Sequence, residues 1–313
     1  MSKTAFLFPG QGSQTVGMGC DLSQTFSIAK RTFEEADDAL GFSLSTLCFS
    51  GPEEQLRLTE YTQPAIFTSS IAAYRVLAER SVTPDYAAGH SLGEYSANAA
   101  AGVIEFADAV RAVRRRGQFM QQAVATGHGA MAAVLGMPLD AVLQVCRDAA
   151  EQAGAVVEAA NMNSPEQTVI SGAPAAVERA IALARERGAK RAVMLHVSAP
   201  FHCALMQPAE EALRPVLEAI PFANPRFPVV VNVDAVPVTN GDALRDALIR
   251  QVTGAVRWTE SVQWLIGAGV TTFVEVGPGK VLTGLLRQID RNQKGLHVED
   301  SVSLDRMLGA VSL

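Results

Sequence analysis

The pentapeptide Gly89-His90-Ser91-Leu92-Gly93 has the pattern G-x-S-x-G. It follows a short apolar run, Tyr86-Ala87-Ala88, and precedes a stretch of helical character that continues through about Ala101. A serine on a sharp turn between a strand and a helix is lifted to the helix N-terminus. Free N–H groups and the positive end of the helix dipole favour negative charge there. The glycines permit a turn that a side chain would obstruct. This context suits a nucleophile that forms a covalent acyl intermediate. The competing reading is a glycine-bounded helix N-cap, since serine is a preferred capping residue.

A serine nucleophile needs a base. The histidines are His90, His128, His196, His202 and His297. His90 adjoins Ser91, but neighbouring side chains on a tight turn seldom face one another. His196 alternates within an apolar run and reads as structural, while His128 and His297 lack supporting context. His202 sits in Ser198-Ala199-Pro200-Phe201-His202-Cys203, a loop placed where two structural units should meet. Such junctions commonly house chemistry. From its position, His202 is either a general base or a satisfied core imidazole, and geometry must separate the two.

Arg116 is the third candidate. It lies three residues after Val113 and four before Met120, on the border of an apolar helix face that includes Phe106 and Val110. Arg114 and Arg115 point elsewhere and are expected to be solvated. A guanidinium on an apolar border needs an anionic partner, and it can grip a carboxylate through two parallel hydrogen bonds. The alternative for Arg116 is a structural salt bridge.

Short apolar runs alternating with longer helical patterns indicate an α/β fold. Strands are predicted at Ala5–Phe8, Tyr86–Ala88, Pro228–Val233 and Thr272–Val276, and a helix over Gln63–Arg80. The middle of the chain has a different rhythm. It reads as strand Ala130–Leu135, helix Asp140–Ala153, strands Val156–Ala160 and Thr168–Ser171 joined by an Asn- and Pro-containing loop, helix Pro174–Arg187 and strand Arg191–Val197. The order β-α-β-β-α-β is the ferredoxin-like split pattern. It predicts a small domain at 126–197 inserted into a large domain made of 1–125 and 198–313.

Lys plus Arg number 26 and Asp plus Glu 32, for a net charge of -6. That balance argues against broad binding to nucleic acid or an anionic membrane. No run reaches the roughly 18 apolar residues of a membrane span. The N-terminal apolar stretch is too short for a secretory signal. Cys20, Cys48, Cys146 and Cys203 are far apart and read as reduced thiols. A cytoplasmic protein is expected. No His or Cys spacing suits a metal. Gly277-Pro278-Gly279-Lys280 lacks the spacing of a phosphate-binding loop and reads as a turn.

Five segments taken together resemble a known family. They are Phe8-Pro9-Gly10-Gln11-Gly12-Ser13-Gln14, Gly89 to Glu94, Arg116-Gly117-Gln118-Phe119-Met120, Pro200-Phe201-His202 and Glu275-Val276-Gly277-Pro278-Gly279-Lys280. In this order they resemble the malonyl-CoA:acyl carrier protein transacylases of bacterial fatty-acid synthesis, and the acyltransferase domains of polyketide synthases. The resemblance runs from about residue 3 to about residue 290. It implies an α/β-hydrolase-like large domain with an inserted ferredoxin-like small domain. It implies Ser91 as nucleophile, His202 as base, and the backbone N–H groups of Gln11 and Leu92 as oxyanion hole. It further implies Arg116 as the holder of the malonate carboxylate, and a Gln251 carbonyl that accepts the His202 Nδ1–H. The implied partners are malonyl-CoA and an acyl carrier protein. No cofactor is implied, since malonyl-CoA is a substrate and the acceptor brings its own phosphopantetheine. The chain is expected to act as a monomer.

Carrier proteins are acidic as a class, so docking needs a local basic patch, and Arg185, Arg187, Lys190 and Arg191 are the first candidate. Phe201 departs from the Ser that many bacterial fatty-acid members carry; in polyketide acyltransferases a bulky Phe there accompanies malonyl selection. Other readings are the malonyltransferase subunit of malonate decarboxylase, a serine esterase of the α/β-hydrolase type, and a non-catalytic scaffold. Against the esterase, 111 residues follow His202, whereas such hydrolases usually place the histidine near the C-terminus.

Overall fold

The computed structural model describes residues 3–125, 127–195 and 199–310. Among the described residues, ten strands form two sheets. Six belong to the first: β1 (Lys3–Phe8), β2 (Tyr86–Gly89), β7 (Val229–Val230), β8 (Pro237–Val238), β9 (Val270–Val276) and β10 (Lys294–Val298). The other four are β3 (Ala130–Leu135), β4 (Val157–Ser164), β5 (Gln167–Gly172) and β6 (Arg191–Met194). The first sheet has the order β10-β9-β1-β2-β7-β8. It is parallel except for the β7–β8 pair at one edge.

The central strand β1 shows how this sheet is built. Phe6 and Phe8 face one apolar cluster with the Thr59–Ala78 and Phe106–Gln122 helices, while Ala5 and Leu7 face another beneath the Trp258–Gly267 and Val281–Ile289 helices. Both faces are covered, so the strand reads as a continuous apolar run. The second sheet has the order β4-β5-β3-β6 with every pairing antiparallel. It carries the Leu139–Ala153 and Pro174–Glu186 helices over its own apolar cluster, which contains Val134, Val145, Ile170 and Val177.

Several boundaries differ from those predicted. The helix predicted from Gln63 starts at Thr59, with Pro64 inside its first turns. The predicted strand Pro228–Val233 shrinks to Val229–Val230. Its continuation curls back, with Ala235 donating to the Val231 carbonyl at 3.0 Å. The Asn232 N–H is drawn instead to the Glu94 carboxylate at 2.9 Å. Asn161 and Asn163, predicted to lie in a loop, belong to β4. Asn is disfavoured in strands, but here β4 is irregular and reaches across to the large sheet's unit, with Met162 donating to the Val256 carbonyl at 2.9 Å. The strand β10 and the Ser301–Ala310 helix were not predicted. The residues Thr126 and Val197, predicted to bound the small domain, lie outside the described residues.

The turn after β2 is closely constrained. A Cβ on Gly89 would lie 1.9 Å from the Gly93 carbonyl carbon, and one on Gly93 would lie 2.0 Å from the Phe8 carbonyl oxygen. Backbone has little room to yield. Gly93→Ala is therefore expected to lower stability by about 3 kcal/mol or more, the upper end of overpacking costs. Chemical denaturation of the two proteins side by side measures this; a loss within error of zero would show that the turn can relax.

Candidate active site

Ser91 stands between β2 and the Gly93–Ala100 helix with a backbone φ of +52°. This left-handed conformation is uncommon outside glycine and costs on the order of 1–3 kcal/mol. Asn232 holds it from one side, its side-chain oxygen accepting the Ser91 N–H at 2.7 Å and its amide donating to the Gly89 carbonyl at 2.7 Å. The Ser91 hydroxyl meets side chains from two other segments, His202 and Arg116.

His202 also has a positive φ, +59°. Its Nε2 lies 2.7 Å from Ser91 Oγ. Its Nδ1 lies 2.9 Å from the Gln251 carbonyl and 3.1 Å from that of Gly254. Carbonyls only accept, so Nδ1 carries the proton and Nε2 presents a lone pair to the serine hydroxyl. Burial, with the Arg116 charge nearby, pushes the imidazole down to about 3, against the two carbonyl hydrogen bonds. At neutral pH the ring is an unprotonated acceptor, which is the form a general base requires. A satisfied core imidazole would not face a strained serine.

Arg116 is 1 % exposed. Its NH1 donates to Gln63 Oε1 at 2.9 Å, and its NH2 donates to Gln251 Oε1 at 2.8 Å and Ser91 Oγ at 3.1 Å. The guanidinium also lies over the Tyr95 ring, 5.5 Å from its centroid. Among the described residues it makes no salt bridge, and its Nε has no hydrogen-bond partner. Two amide oxygens orient the cation without neutralising it. Of its neighbours in sequence, Arg115 is exposed as predicted, but Arg114 is half-buried, stacked 4.3 Å from the centroid of Phe42.

A cleft opens on these groups. Gln11, Ser91, Leu92, Arg116 and His202 line one wall; Met131, Asn161, Asn163, Val169 and Leu195 of the second sheet's unit line the other. Phe201 stands between, packed against Met131 and Val169. Gln11 is exposed, and its side chain donates weakly to Thr59 at 3.4 Å. Neither the Gln11 nor the Leu92 backbone N–H has an acceptor among the described residues, so two amides on the cleft wall are free to meet an oxygen. The arrangement combines an activated hydroxyl, its base, two spare N–H donors and a buried cation. It can form and break an ester of an acyl group that carries a negative charge.

Sequence reasoning missed several members. The Gln251 side chain contributes as well as its carbonyl: its Nε2 donates to Glu94 Oε2 at 2.8 Å and to the Ser91 carbonyl at 2.9 Å. Asn232, Glu94 and Gln63 had not been singled out. Glu94, Ser96 and Asn98 are polar residues in a short helix whose other members are Gly93, Tyr95 and alanines, a signal that was available. His90 turns away from Ser91, its Nε2 lying 2.8 Å from Asn163 Oδ1. His196 lies outside the described residues. The basic cluster proposed for docking is largely engaged internally: Arg185 donates to the Ala192 carbonyl, Arg187 pairs with Asp148 at 2.6 Å, and Lys190 pairs with Glu166 at 3.0 Å.

The model of the acyl transferase domain matches residues 5–309. The chain belongs to the acyl transferase family. A malonyl CoA-acyl carrier protein transacylase of Escherichia coli (strain K12) is 53% identical over 290 residues, covering 92% of this chain and 93% of that protein. The crystal structure of an acyl carrier protein S-malonyltransferase from Vibrio cholerae superposes with a TM-score of 0.96 at 49% identity, covering 98% of this chain and 100% of that one. A malonyl-transacylase solved in complex with a type II PKS acyl-carrier protein matches with a TM-score of 0.96 at 46% identity, covering 99% of this chain and 100% of that one. The esterase and scaffold readings fall away against a family match of this extent.

The His202 environment has a consequence for acid stability. Its folded pKa is lowered, so its contribution to stability is present above the unfolded value near 6.5 and is lost as pH falls toward the folded value of about 3. His202→Asn, which can still donate to the carbonyls, removes that term. Between about pH 6.5 and 4, the melting temperature of the parent should fall more steeply than that of the variant. Parallel slopes would mean the imidazole is not desolvated in the folded protein.

Proposed function

We propose that the chain transfers the malonyl group from malonyl-CoA to the phosphopantetheine thiol of an acyl carrier protein, supplying fatty-acid synthesis. The observation that carries this reading is the convergence on one cleft of the Ser91–His202 pair and an Arg116 cation that makes no direct salt bridge among the described residues. The names of its relatives support the same substrate and acceptor.

His202 takes the Ser91 proton as Oγ attacks the malonyl thioester. The negative oxygen of the tetrahedral intermediate is received by the Gln11 and Leu92 amides. Removing one such donor typically costs about 10²–10³ in rate. The imidazolium returns the proton to the departing coenzyme A sulfur, which leaves a malonyl-serine ester. The carrier's thiol then enters the cleft, His202 removes its proton, and the steps run in reverse. Each half-reaction exchanges one acyl bond for another, so no metal or cofactor is needed to balance it. Arg116 holds the distal carboxylate throughout. The Gln251 carbonyl keeps His202 in the productive tautomer, which dispenses with a third carboxylate.

We read the architecture as an α/β-hydrolase-like large domain, 1–125 and 198–313, holding a ferredoxin-like small domain, 126–197. The separate cores of the two sheets support that division. One chain supplies every group of the site, which is consistent with a working monomer. The free cysteines, and the lack among described residues of a helix long and apolar enough to cross a membrane, fit a cytoplasmic setting.

Incubation with malonyl-CoA, acid quench and intact mass spectrometry tests the intermediate. A single malonyl adduct is expected on the parent and none on Ser91→Ala. No adduct on the parent, with no coenzyme A released, would sink the reading. Arg116→Ala should slow acylation by malonyl-CoA by about 10²-fold or more, the worth of charge-assisted hydrogen bonds, and affect acetyl-CoA far less. Equal losses for both donors would show that Arg116 serves the fold and not the substrate.

A further inference from the structure

Glu94 takes no part in the steps above, yet it is fully buried beside them, in the first turn of the Gly93–Ala100 helix. Its two oxygens differ. Oε2 accepts from the Asn232 backbone N–H at 2.9 Å and from Gln251 Nε2 at 2.8 Å. Oε1 has no partner among the described residues. The other end of the same Gln251 amide, Oε1, accepts from Arg116 NH2 at 2.8 Å. A carboxylate and a guanidinium therefore share one amide, which polarises toward both. The amide has only one acceptable orientation. Flipped, it would set an oxygen against the Glu94 carboxylate and an NH₂ against the guanidinium.

Charge bookkeeping around this unit is simple. The charged or titratable groups facing Glu94 are Arg116 from the Phe106–Gln122 helix, Asp234 from the turn after β7, and Tyr95 from its own helix. Asp234 is already paired with Arg250 at 2.8 Å. Arg116 is thus the cation that compensates a buried Glu94 anion. A substrate carboxylate on Arg116 would compete for that compensation and leave two buried anions around one cation, an arrangement that low dielectric penalises heavily.

We propose that Glu94 is the resident counter-charge of Arg116, linked to it through the Gln251 amide, and that it gives up its charge by taking a proton from solvent when a malonyl carboxylate docks. Glu94 is then a positioning residue, acting through Gln251. The proton adds to the unpartnered Oε1, and both hydrogen bonds accepted by Oε2 persist. Burial raises this carboxyl to about 7, so the group is poised to respond near neutrality. The inference rests on the reading of Arg116 as the malonyl carboxylate's holder.

Ser91→Ala permits binding without turnover. Malonyl-CoA and acetyl-CoA are titrated into it calorimetrically at roughly pH 8, in two buffers of different ionisation heat, which counts protons exchanged with solvent. The expected result is uptake of about one proton with malonyl-CoA and none with acetyl-CoA. In Ser91→Ala/Glu94→Gln, whose neutral amide can keep both accepted hydrogen bonds, malonyl-CoA should bind without uptake. In steady state, the parent's KM for malonyl-CoA should rise above about pH 7, by up to tenfold per unit, and that of Glu94→Gln should stay flat. A merely structural Glu94 would leave the two pH slopes alike. Preferential malonyl-CoA binding without proton uptake, or uptake that persists in the Gln variant, overturns the proposal alone. Malonyl-CoA binding no tighter than acetyl-CoA overturns the Arg116 reading and the proposal with it. Should the Gln variant fail to fold, the comparison of the two ligands on Ser91→Ala still decides.

Discussion

A guanidinium almost sealed from water lies at the floor of the cleft, and the groups that hydrogen-bond to it are neutral oxygens. Burying such a charge is costly unless something compensates it, and the compensation determines much of the surrounding architecture. Gln63 from the Thr59–Ala78 helix and Gln251 from the end of the Gly241–Arg250 helix are held at the positions where their oxygens face the cation. Gln251 is fixed in turn by Glu94, Asn232 and the Ser91 carbonyl. Its own carbonyl then determines the tautomer of His202. The buried cation and the Ser91–His202 pair are consequently parts of one hydrogen-bonded network, and neither can be altered without disturbing the other.

The large sheet serves this network by bringing distant segments to one end of its parallel strands. The loop after β1 delivers Gln11, the turn after β2 delivers Ser91, and the turn after β7 delivers Asn232. These sites lie beyond the carboxyl ends of neighbouring strands, where open α/β sheets usually place their ligands. The second sheet contributes a wall with a different character, apolar at Met131, Val169 and Leu195 and amide-rich at Asn161 and Asn163.

Much of this was legible from residue order. Ser91 could be read because a nucleophile turn needs glycines at fixed offsets, and the clashes that a Cβ would meet at Gly89 and Gly93 explain why. Arg116 could be read because helical spacing placed a charge beside an apolar face. The strands of the large sheet were visible as runs without alternation, since both faces are covered. What escaped has a common cause: it depends on contacts between segments far apart in the chain. Asn232 ends a predicted strand early because its N–H finds Glu94, 138 residues away. Asn161 and Asn163 sit in a strand against their propensity because the neighbouring unit supplies partners for β4. Arg114 is stacked and not solvated because Phe42 lies across from it. Local pattern carries no record of such partners.

Ser91 and His202, the two residues proposed to react, occupy left-handed backbone that glycine would adopt without penalty. The folded chain therefore stores conformational energy at the two positions where side-chain chemistry forbids its release. Selection for stability alone would drift these positions toward glycine, and selection for activity holds them back. At these two positions the most stable sequence for this fold and the most active one differ, and the backbone conformation sets that difference.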